Sequence, residues 1–358
     1  MKSRIIHIAQ YVVAVGIGTC LLLWVLQNVS VHSLLEQLGD LHMGWIAASM
    51  GISLLSCWFR ALRWQLQLEV RGSHASSSSI FTALMVGYFA NQLLPRTGEL
   101  VRCSVLPKQS RSSFPTTFGT VIAERIADLL VLGMLLIAVL LWEYDLLIDY
   151  FSQTALADMG VMSLGKGLLI VALFIVLAFM TRQFLLNKEG KWISPLKDMA
   201  NKLWEGIMSI VHLRAPWKFL AYTGLIWLCY WGMTYVVFLA FPIQLSDAGM
   251  TVAYLAGVLM IMGTIGMSMP IPGGIGAYHA VIIFCFAALQ IESVVGQGMS
   301  GEVFAVAAHG ARMLMLLLVG AGAAVVIWFS SSDRLKRTFL LYKERKQVMR
   351  KKAHPERL

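Results

Sequence analysis

Charged residues are scarce in this sequence: Asp, Glu, Lys and Arg make up only 13% of its 358 residues, against about 25% in an ordinary soluble domain. Hydrophobic residues make up 58%, which is more apolar surface than the core of a soluble fold can enclose. The shortage of charge excludes a cytosolic globular enzyme, and the apolar content excludes a disordered chain. The composition therefore predicts an all-α, polytopic integral membrane protein.

Cysteine is also sparse, and its spacing does not indicate bonding. The five cysteines are Cys20, Cys57, Cys103, Cys229 and Cys285. No two of them form a CxxC pair, and four lie in apolar stretches, where cysteine packs as a small hydrophobic residue. We therefore expect no disulfide and no metal site.

Sequence motifs of common enzymes are missing as well. The chain has no HExxH zinc motif and no GxSxG nucleophile motif. The segment Gly160–Lys166 fits the phosphate loop of ATPases, but Gly167 stands where a Ser or Thr would bind magnesium. We therefore expect a protein that is not an enzyme and that has no cofactor.

Long apolar runs alternate with charged connections, as in a protein that crosses the membrane several times. The runs cover residues 5–27, 44–59, 80–95, 126–142, 162–181, 219–245, 248–291 and 303–329. A helix needs about 20 apolar residues to cross the bilayer, and the first run has 23 residues without a charge. Because that run is too long for the apolar part of a signal peptide, we expect it to be retained.

The charges of the connections predict how the chain is oriented. The connections without Lys or Arg are residues 28–43, 143–161, 246–250 and 292–302. The other connections and the tail are basic, including Arg60, Arg63 and Arg71, and the net charge is +10. Basic connections face the cytoplasm. We therefore expect both termini there, and we expect no nucleic-acid partner. We also expect the membrane to be the inner membrane of a bacterium.

Two apolar runs are expected to enter the membrane and leave it on the same side. The run at 80–95 has only 16 residues and basic segments at both ends, which predicts a re-entrant hairpin from the cytoplasmic side. The run at 248–291 has acidic connections at both ends and is broken by prolines and glycines at 270–276. This pattern predicts a second hairpin from the outer side, although two full crossings would satisfy the same charges.

The two halves of the chain form a predicted inverted repeat within a domain of residues 1–330. Residues 44–142 and 219–329 each contain a helix, a broken hairpin and a helix, in opposite orientations. Such repeats with broken helices are typical of transporters, whose site lies between the repeats near the middle of the bilayer. The expected fold is therefore an inverted-repeat, transporter-like helical bundle with two oppositely inserted re-entrant hairpins.

Two segments lie outside the repeats. Residues 182–215 carry apolar side chains at helical spacing, which predicts either an amphipathic helix on the cytoplasmic membrane surface or a connector packed on the protein. Residues 331–358 form a basic tail, which we expect to be cytoplasmic and solvated near anionic lipid.

Charged and polar residues inside apolar segments are costly to bury, so they are the candidates for function. The predicted substrate-binding residues are Asn91, Arg96, Glu99 and Arg102 in the first hairpin, Glu124, Arg125 and Asp128 in the next helix, and Gly273, Gly274, His279, His309 and Arg312 in the second half. Arginine suits phosphate because its planar fork donates two parallel hydrogen bonds. The alternatives are a structural salt bridge for Arg125, a hydrogen bond to a backbone carbonyl for either histidine, and turn geometry for the glycines.

Several motifs carry a resemblance to a known family. They are Phe59-Arg-Ala-Leu-Arg-Trp64, Asn91-Gln-Leu-Leu-Pro-Arg-Thr-Gly-Glu-Leu-Val-Arg102, Glu124-Arg-Ile-Ala-Asp128, Pro270-Ile-Pro-Gly-Gly-Ile-Gly276, and Arg312 in the last helix. Together they resemble the lysylphosphatidylglycerol synthase transmembrane family, which includes the lipid-flipping half of the multiple peptide resistance factor, over most of the chain. The resemblance implies a flippase-like domain without the aminoacyl-transferase domain. The family commonly has a glutamate where this chain has Tyr278-His279, a difference that bears on headgroup preference or proton coupling.

The expected function is therefore a flippase or transporter of a membrane lipid. Its substrate would be an anionic or aminoacylated phospholipid, or a polyprenyl-phosphate-linked lipid. One alternative is an intramembrane enzyme that uses His309, His279 or Asp128 on a lipid-linked substrate. Another is a non-transporting accessory subunit of an envelope-assembly complex. The expected partners are membrane lipids, together with a second copy of the chain or a separate lipid-modifying enzyme.

Thiol labelling tests the predicted orientation. A cysteine in place of Gln109, in a chain whose five native cysteines are replaced, should react with a membrane-impermeant reagent only after permeabilisation, because its connection is basic. A cysteine in place of Ser152, in an acidic connection, should react in intact cells. Labelling of position 109 from outside alone would contradict the orientation.

Overall fold

The computed structural model describes residues 31–94, 97–106, 113–142, 194–242, 249–269, 271–292 and 299–353, together with residues 16, 19 and 20, and side chains only as far as residue 329. Helices make up nearly all of this part of the chain, which contains no strand. The all-α prediction is therefore confirmed for it. The predicted span at 162–181 and most of the predicted span at 5–27 lie outside the described residues.

The described residues form ten helices and one short turn of 3₁₀-helix. They are α1 (Val31–Gly39), α2 (Met43–Val70), α3 (Ser77–Leu93), α4 (Gly98–Val105), α5 (Phe114–Trp142), α6 (Ser194–Ile207), α7 (Pro216–Phe238), α8 (Gly249–Met267), the 3₁₀ turn (Pro272–Gly274), α9 (Ala277–Ala288) and α10 (Gly301–Ala353).

Three of these helices are long and apolar enough to cross a membrane: α2, α7 and the segment Gly301–Phe329 of α10. Helices α2 and α7 pack along each other over most of their length. Large apolar side chains of α5, such as Leu129 and Leu141, are 62% and 72% exposed, as expected for a surface that contacts lipid tails instead of water. These features identify the chain as an integral membrane protein.

Helix α2 differs from its prediction. The sequence predicted that the span would end at Phe59 and that Arg60 and Arg63 would belong to a basic cytoplasmic segment. Instead the helix continues to Val70, and both arginines are buried inside the bundle. The prediction for these two residues is wrong because each guanidinium group has a carboxylate partner on α5, so neither has to reach water.

Helices α3 and α4 form a tight hairpin where the first re-entrant segment was predicted. Their backbones approach each other at two glycines: a Cβ on Gly98 would overlap the carbonyl oxygen of Gly87. Asn91 closes the turn, since its Oδ1 accepts a hydrogen bond of 2.7 Å from the Gly98 amide. Helix α4 is only 8 residues long, about 12 Å, and cannot cross a membrane alone. Insertion of this hairpin from the cytoplasmic side stays a prediction.

Helices α8 and α9 form a second hairpin around the 3₁₀ turn. Gly273, Gly274 and Gly276 have φ angles of 60°, 74° and 84°, which residues with a Cβ adopt only at a cost. The tips of the two hairpins touch, because the side-chain oxygen of Gln92 lies beside Gly273, only 2.5 Å from where a Cβ would be. The inverted relation of the two hairpins stays a prediction.

The predicted connector at 182–215 is described from residue 194 onward, and its helix α6 packs on the protein. Gly206 of α6 lies against Gly119 of α5, where a Cβ on Gly206 would be 2.7 Å from the Gly119 Cα. Small residues permit such close contact between helix backbones. The contact supports the packed connector over a helix that lies only on the membrane surface.

Substitution of Gly119 should show how much the fold depends on this contact. Gly119→Ala places a Cβ against the α6 backbone, and we expect it to lower the free energy of unfolding by about 1–3 kcal/mol. Gly133→Ala is the matched control on the same helix, because a Cβ there meets no atom within 4 Å; it should be neutral or stabilise through helix propensity by about 1 kcal/mol. Thermal unfolding in detergent micelles measures both, and equal effects would contradict the close packing of α6.

Candidate functional site

A network of buried ion pairs connects α2 with α5. Asp128 of α5 pairs with two arginines of α2: Arg60 Nη1 donates a hydrogen bond of 2.9 Å to Oδ2, and Arg63 Nη1 forms an ion pair at 2.7 Å from Oδ1. Both arginines can reach one carboxylate because residues three apart share a helix face. The Asp128 side chain is only 14% exposed, so the bundle encloses these charges.

A second carboxylate extends the network to the first hairpin. Glu124 precedes Asp128 by one turn of α5 and is fully buried. Its Oε2 accepts a hydrogen bond of 2.8 Å from Arg102 Nη2 of α4, and its Oε1 lies 3.8 Å from Arg63 Nη2. Arg63 therefore lies between two carboxylates, and the network joins α2, α4 and α5.

Aromatic and hydroxyl side chains hold the inner arginines in place. The Arg102 guanidinium carbon lies 4.6 Å from the centre of the Trp64 ring, a cation–π contact. The Trp64 indole N–H in turn donates to the Thr120 hydroxyl of α5 at 2.8 Å. Arg63 donates to the Thr223 hydroxyl of α7 at 3.1 Å, so a fourth helix contributes to the network.

One edge of the network is open. Arg125 Nη2 lies 3.3 Å from Glu99 Oε1 of α4, and these two side chains are 43% and 25% exposed. The Arg125 Nη1 atom is 4.0 Å from Asp128, so the exposed pair adjoins the buried one. Ile126 and Leu129, beside Arg125 on α5, are exposed apolar residues. The open edge therefore faces the apolar surface of the bundle.

Tyr230 of α7 connects the network to α10. Its hydroxyl accepts a hydrogen bond of 2.7 Å from Arg60 Nη2, and the guanidinium carbon of Arg312 lies 5.2 Å from the centre of its ring. Among the described residues, no carboxylate lies within 4.0 Å of the Arg312 nitrogens. Arg312 thus contributes a positive charge without a direct acidic partner.

Positive charge exceeds negative charge in this site. The arginines are Arg60, Arg63, Arg102, Arg125 and Arg312, and the carboxylates are Glu99, Glu124 and Asp128. With all of them ionised, the site carries an excess of two positive charges. Several buried guanidinium nitrogens also make no hydrogen bond: Nε and Nη2 of Arg63, Nε and Nη1 of Arg102, and Nε of Arg312. One oxygen each of Glu99, Glu124 and Asp128 likewise makes no hydrogen bond. Because the arginines outnumber the carboxylates and buried donors are normally satisfied, the site is suited to an anion with several acceptor oxygens.

The two predicted histidines form a stacked pair next to this site. The ring centres of His279 and His309 are 5.1 Å apart, with 21° between their planes. His279 Nδ1 accepts a hydrogen bond of 3.4 Å from the Gly276 amide at the start of α9. The local backbone thus positions this ring, although through an amide and not through the backbone carbonyl that the alternative expected.

The predicted site residues separate into three groups. Glu99, Arg102, Glu124, Arg125 and Asp128 lie together, and Arg312 joins them through Tyr230. Asn91, Gly273 and Gly274 shape the hairpin tips, and His279 and His309 stack beside them. Arg96 lies outside the described residues. Participation of any of them in substrate binding stays a prediction.

Sequence reasoning missed Arg60, Arg63 and Tyr230 as members of the site. A signal for the two arginines was present, because Arg60, Arg63, Trp64 and Gln67 follow the spacing of one helix face. Tyr230 carries no such signal, since it is one of several aromatic residues in an apolar helix. Within the described ranges, no group of three or more His, Cys, Asp or Glu side chains is arranged to hold a metal ion.

Comparison with known proteins identifies the family. The model of the lysylphosphatidylglycerol synthase TM region matches residues 11–323, which is most of the chain, and the chain belongs to this family. Relatives include a UPF0104 membrane protein of Methanothermobacter thermautotrophicus, which is 26% identical over 76% of this chain and 81% of its own length. UPF0104 membrane proteins of Methanocaldococcus jannaschii and Pyrococcus horikoshii are 22% and 25% identical, over 80% and 77% of this chain and 87% and 86% of theirs. No solved structure matches the chain significantly.

The resemblance inferred from the sequence motifs is thus confirmed. These three relatives are archaeal membrane proteins, so the family is not confined to bacteria, and the expected location in a bacterial inner membrane stays a prediction.

The two kinds of ion pair in the site should differ in their effect on stability. Glu124→Gln leaves Arg102 and Arg63 without a buried countercharge, and we expect it to reduce the free energy of unfolding by about 3–5 kcal/mol. Glu99→Gln, which removes the more exposed pair with Arg125, should cost about 0–1 kcal/mol. Chemical unfolding in detergent micelles compares the two, and a larger effect of Glu99→Gln would contradict the assignment of Glu124 as the buried anchor.

Proposed function

We propose that this protein moves a lipid with a phosphate-bearing headgroup between the leaflets of the cytoplasmic membrane. The observation that carries the proposal is the largely buried cluster of five arginines and three carboxylates. A phosphate that crosses hydrocarbon needs a replacement for its water, and arginine forks can provide it. Phospholipids, anionic or aminoacylated, and polyprenyl-phosphate-linked lipids share this phosphate chemistry.

The depth of the charges suits such a role. At about 1.5 Å per helical residue, Glu124 lies about 15 Å from the start of α5 and Arg312 about 17 Å from the start of α10. Both distances are close to half of the roughly 30 Å apolar core of a bilayer. A headgroup at this depth would meet charge where an unassisted crossing costs most free energy.

The open edge at Arg125 supplies a route from the bilayer. A guanidinium group amid the exposed apolar residues Ile126 and Leu129 can meet a headgroup while the acyl chains remain among lipid tails. Further inside the bundle lie buried guanidinium nitrogens of Arg63 and Arg102 that donate no hydrogen bond. The carboxylates keep part of the positive charge neutralised, so that a phosphate would bind and still leave.

The two hairpins fit the same proposal. Their tips touch at Gln92 and Gly273, and in a transporter with broken helices the site lies at such a junction. If the hairpins insert from opposite sides, as the charges of the connections indicate, each leaflet has its own path to the site. Family membership supports the proposal, because the chain shares the TM region of lysylphosphatidylglycerol synthases.

Replacement of arginine by lysine tests the role of the guanidinium fork. Arg125→Lys and Arg312→Lys keep the charge but lose the paired donors, and a lost charge-assisted hydrogen bond of about 1.5 kcal/mol slows transport about tenfold. Purified protein in liposomes would be assayed by chemical quenching of fluorescent phosphatidylglycerol in the outer leaflet. Arg214→Lys, at an exposed position between α6 and α7, is the control and should transport normally.

A second lipid separates phosphate recognition from nonspecific leakage. Fluorescent glucosylceramide has a polar headgroup without phosphate, so we expect the protein not to move it. Equal movement of both lipids would contradict phosphate recognition, and unchanged rates in both lysine variants would contradict the role of the fork. Movement of neither lipid would contradict transport, and chemical conversion of the lipid would indicate an enzyme.

A further inference from the structure

A small cavity lies on the α10 side of Tyr230, apart from the carboxylates. Its lining includes Ser49 of α2, Thr234 of α7, Tyr278 of α9, and His309 and Arg312 of α10. Its volume is about 30 Å³, which is room for about two atoms of the size of a water oxygen. A cavity lined by hydroxyl, imidazole and guanidinium groups is polar enough to accept a charged ligand.

Arg312 provides the cavity with a charge that the protein does not neutralise directly. Its guanidinium group lies over the Tyr230 ring, and its buried Nε atom makes no hydrogen bond. Even a partly buried charge is costly without a countercharge. An anion in the cavity would therefore be stabilised by Arg312.

His309 is the second polar group of the cavity. The residue is only 2% exposed, and although its ring lies near the backbone of Gly273, neither ring nitrogen makes a hydrogen bond of acceptable geometry. Its faces and edges meet aromatic rings, since His279 stacks on it and Tyr278 contacts it edge-on at 4.9 Å. A buried, unsatisfied imidazole that lines a cavity is a ready donor or acceptor for a ligand.

The groups around His309 determine whether its imidazole ring carries an extra proton. The titratable or charged neighbours are Tyr278 and His279 on α9 and Arg312 on its own helix. The elements α2, α7 and α8 contribute only Ser49, Thr234 and methionines to the cavity, and the 3₁₀ turn contributes backbone. No described carboxylate is among these groups, so a proton on His309 would be repelled by Arg312. An anion between the two side chains would remove that repulsion.

We propose that this cavity binds two oxygens of a phosphodiester anion, and that His309 takes up one proton from solvent when the anion binds. The proton leaves a hydronium ion of the solvent, whose O–H bond breaks, and forms an N–H bond on the free imidazole nitrogen. This N–H then donates a hydrogen bond to a phosphate oxygen, and no covalent bond of the phosphodiester forms or breaks. This inference rests on the proposed function and deepens it. It assigns the α10 side of the site as the point where lipid movement is coupled to protons.

Proton coupling has a quantitative consequence. When one proton binds together with the anion, the dissociation constant of the anion rises about tenfold per pH unit between the pH at which His309 loses its proton in the free protein and the higher pH at which it loses it in the complex. A proton gradient across the membrane would then drive the anion toward the side of higher pH.

The test uses the full chain in a maltoside detergent, which contains no phosphate. The probes are dimethyl phosphate and short-chain phosphatidylglycerol, because a phosphodiester keeps a constant charge between about pH 5 and about pH 8, where histidine titrates. A pH-indicator dye in weakly buffered solution reports proton uptake, and calorimetry reports binding. We expect uptake of about one proton per bound anion with at least one probe. Binding of the lipid alone would identify a lipid headgroup as the ligand. Binding of both probes would identify a general phosphodiester site.

Three glutamine variants assign the proton. His309→Gln should bind the probe without proton uptake and with a dissociation constant that no longer depends on pH. His279→Gln distinguishes the two stacked imidazoles, because glutamine can still accept from the Gly276 amide at this helix start. This variant and His212→Gln, the exposed control outside the cavity, should both retain proton uptake. Undiminished uptake in His309→Gln, or its loss only in His279→Gln, would overturn the assignment.

Wild-type protein alone provides an independent test, which does not depend on the folding of a variant. A dissociation constant that stays constant between about pH 6 and about pH 8, or binding of neither probe, overturns the inference. If such a protein still moves phosphatidylglycerol in liposomes, the proposed function stands without this coupling. If proton-linked binding occurs and no lipid moves, the anion site stands and the proposed transport fails.

Discussion

The double ion pair at Asp128 is the contact on which the first half of the molecule depends. Buried charges each cost several kcal/mol unless they are paired, and only one register of α2 against α5 places both Arg60 and Arg63 on this carboxylate. Apolar helices in lipid have little hydrophobic drive to choose a register. The network, continued through Glu124 to Arg102, therefore sets the relative depth of α2, α4 and α5.

Much of this arrangement could be predicted from the sequence. Apolar runs with at most one charge indicated the spanning helices α7 and α10. A short run and a broken run indicated two helical hairpins, whose re-entrant insertion stays a prediction. The spacing of Glu124, Arg125 and Asp128 indicated one charged face on α5, and Glu99 and Arg102 were expected beside it. These predictions succeed because hydrophobic length and helical periodicity are local properties, which a sequence displays directly.

Other features depend on contacts between distant segments, which a single sequence does not display. An arginine at the end of an apolar run looks the same whether it reaches the cytoplasm or a carboxylate on another helix, so Arg60 and Arg63 were assigned to a loop. Tyr230 belongs to the site only because two arginines approach it from different helices. The packing of α6 on α5 likewise depends on a pair of glycines far apart in the chain.

The rigid side chain of Tyr230 contacts two arginines, Arg60 and Arg312, which lie on different helices. Its hydroxyl accepts a hydrogen bond from Arg60, and Arg312 lies over its ring face. A rotation of the Tyr230 side chain that breaks the contact with one arginine therefore also disturbs the contact with the other. The two halves of the chain can thus sense each other through a single torsion angle, without any movement of the backbone between them. A ligand that attracts Arg60 would change the surface offered to Arg312, and occupancy at one end of the site would be communicated to the other by the orientation of an aromatic ring.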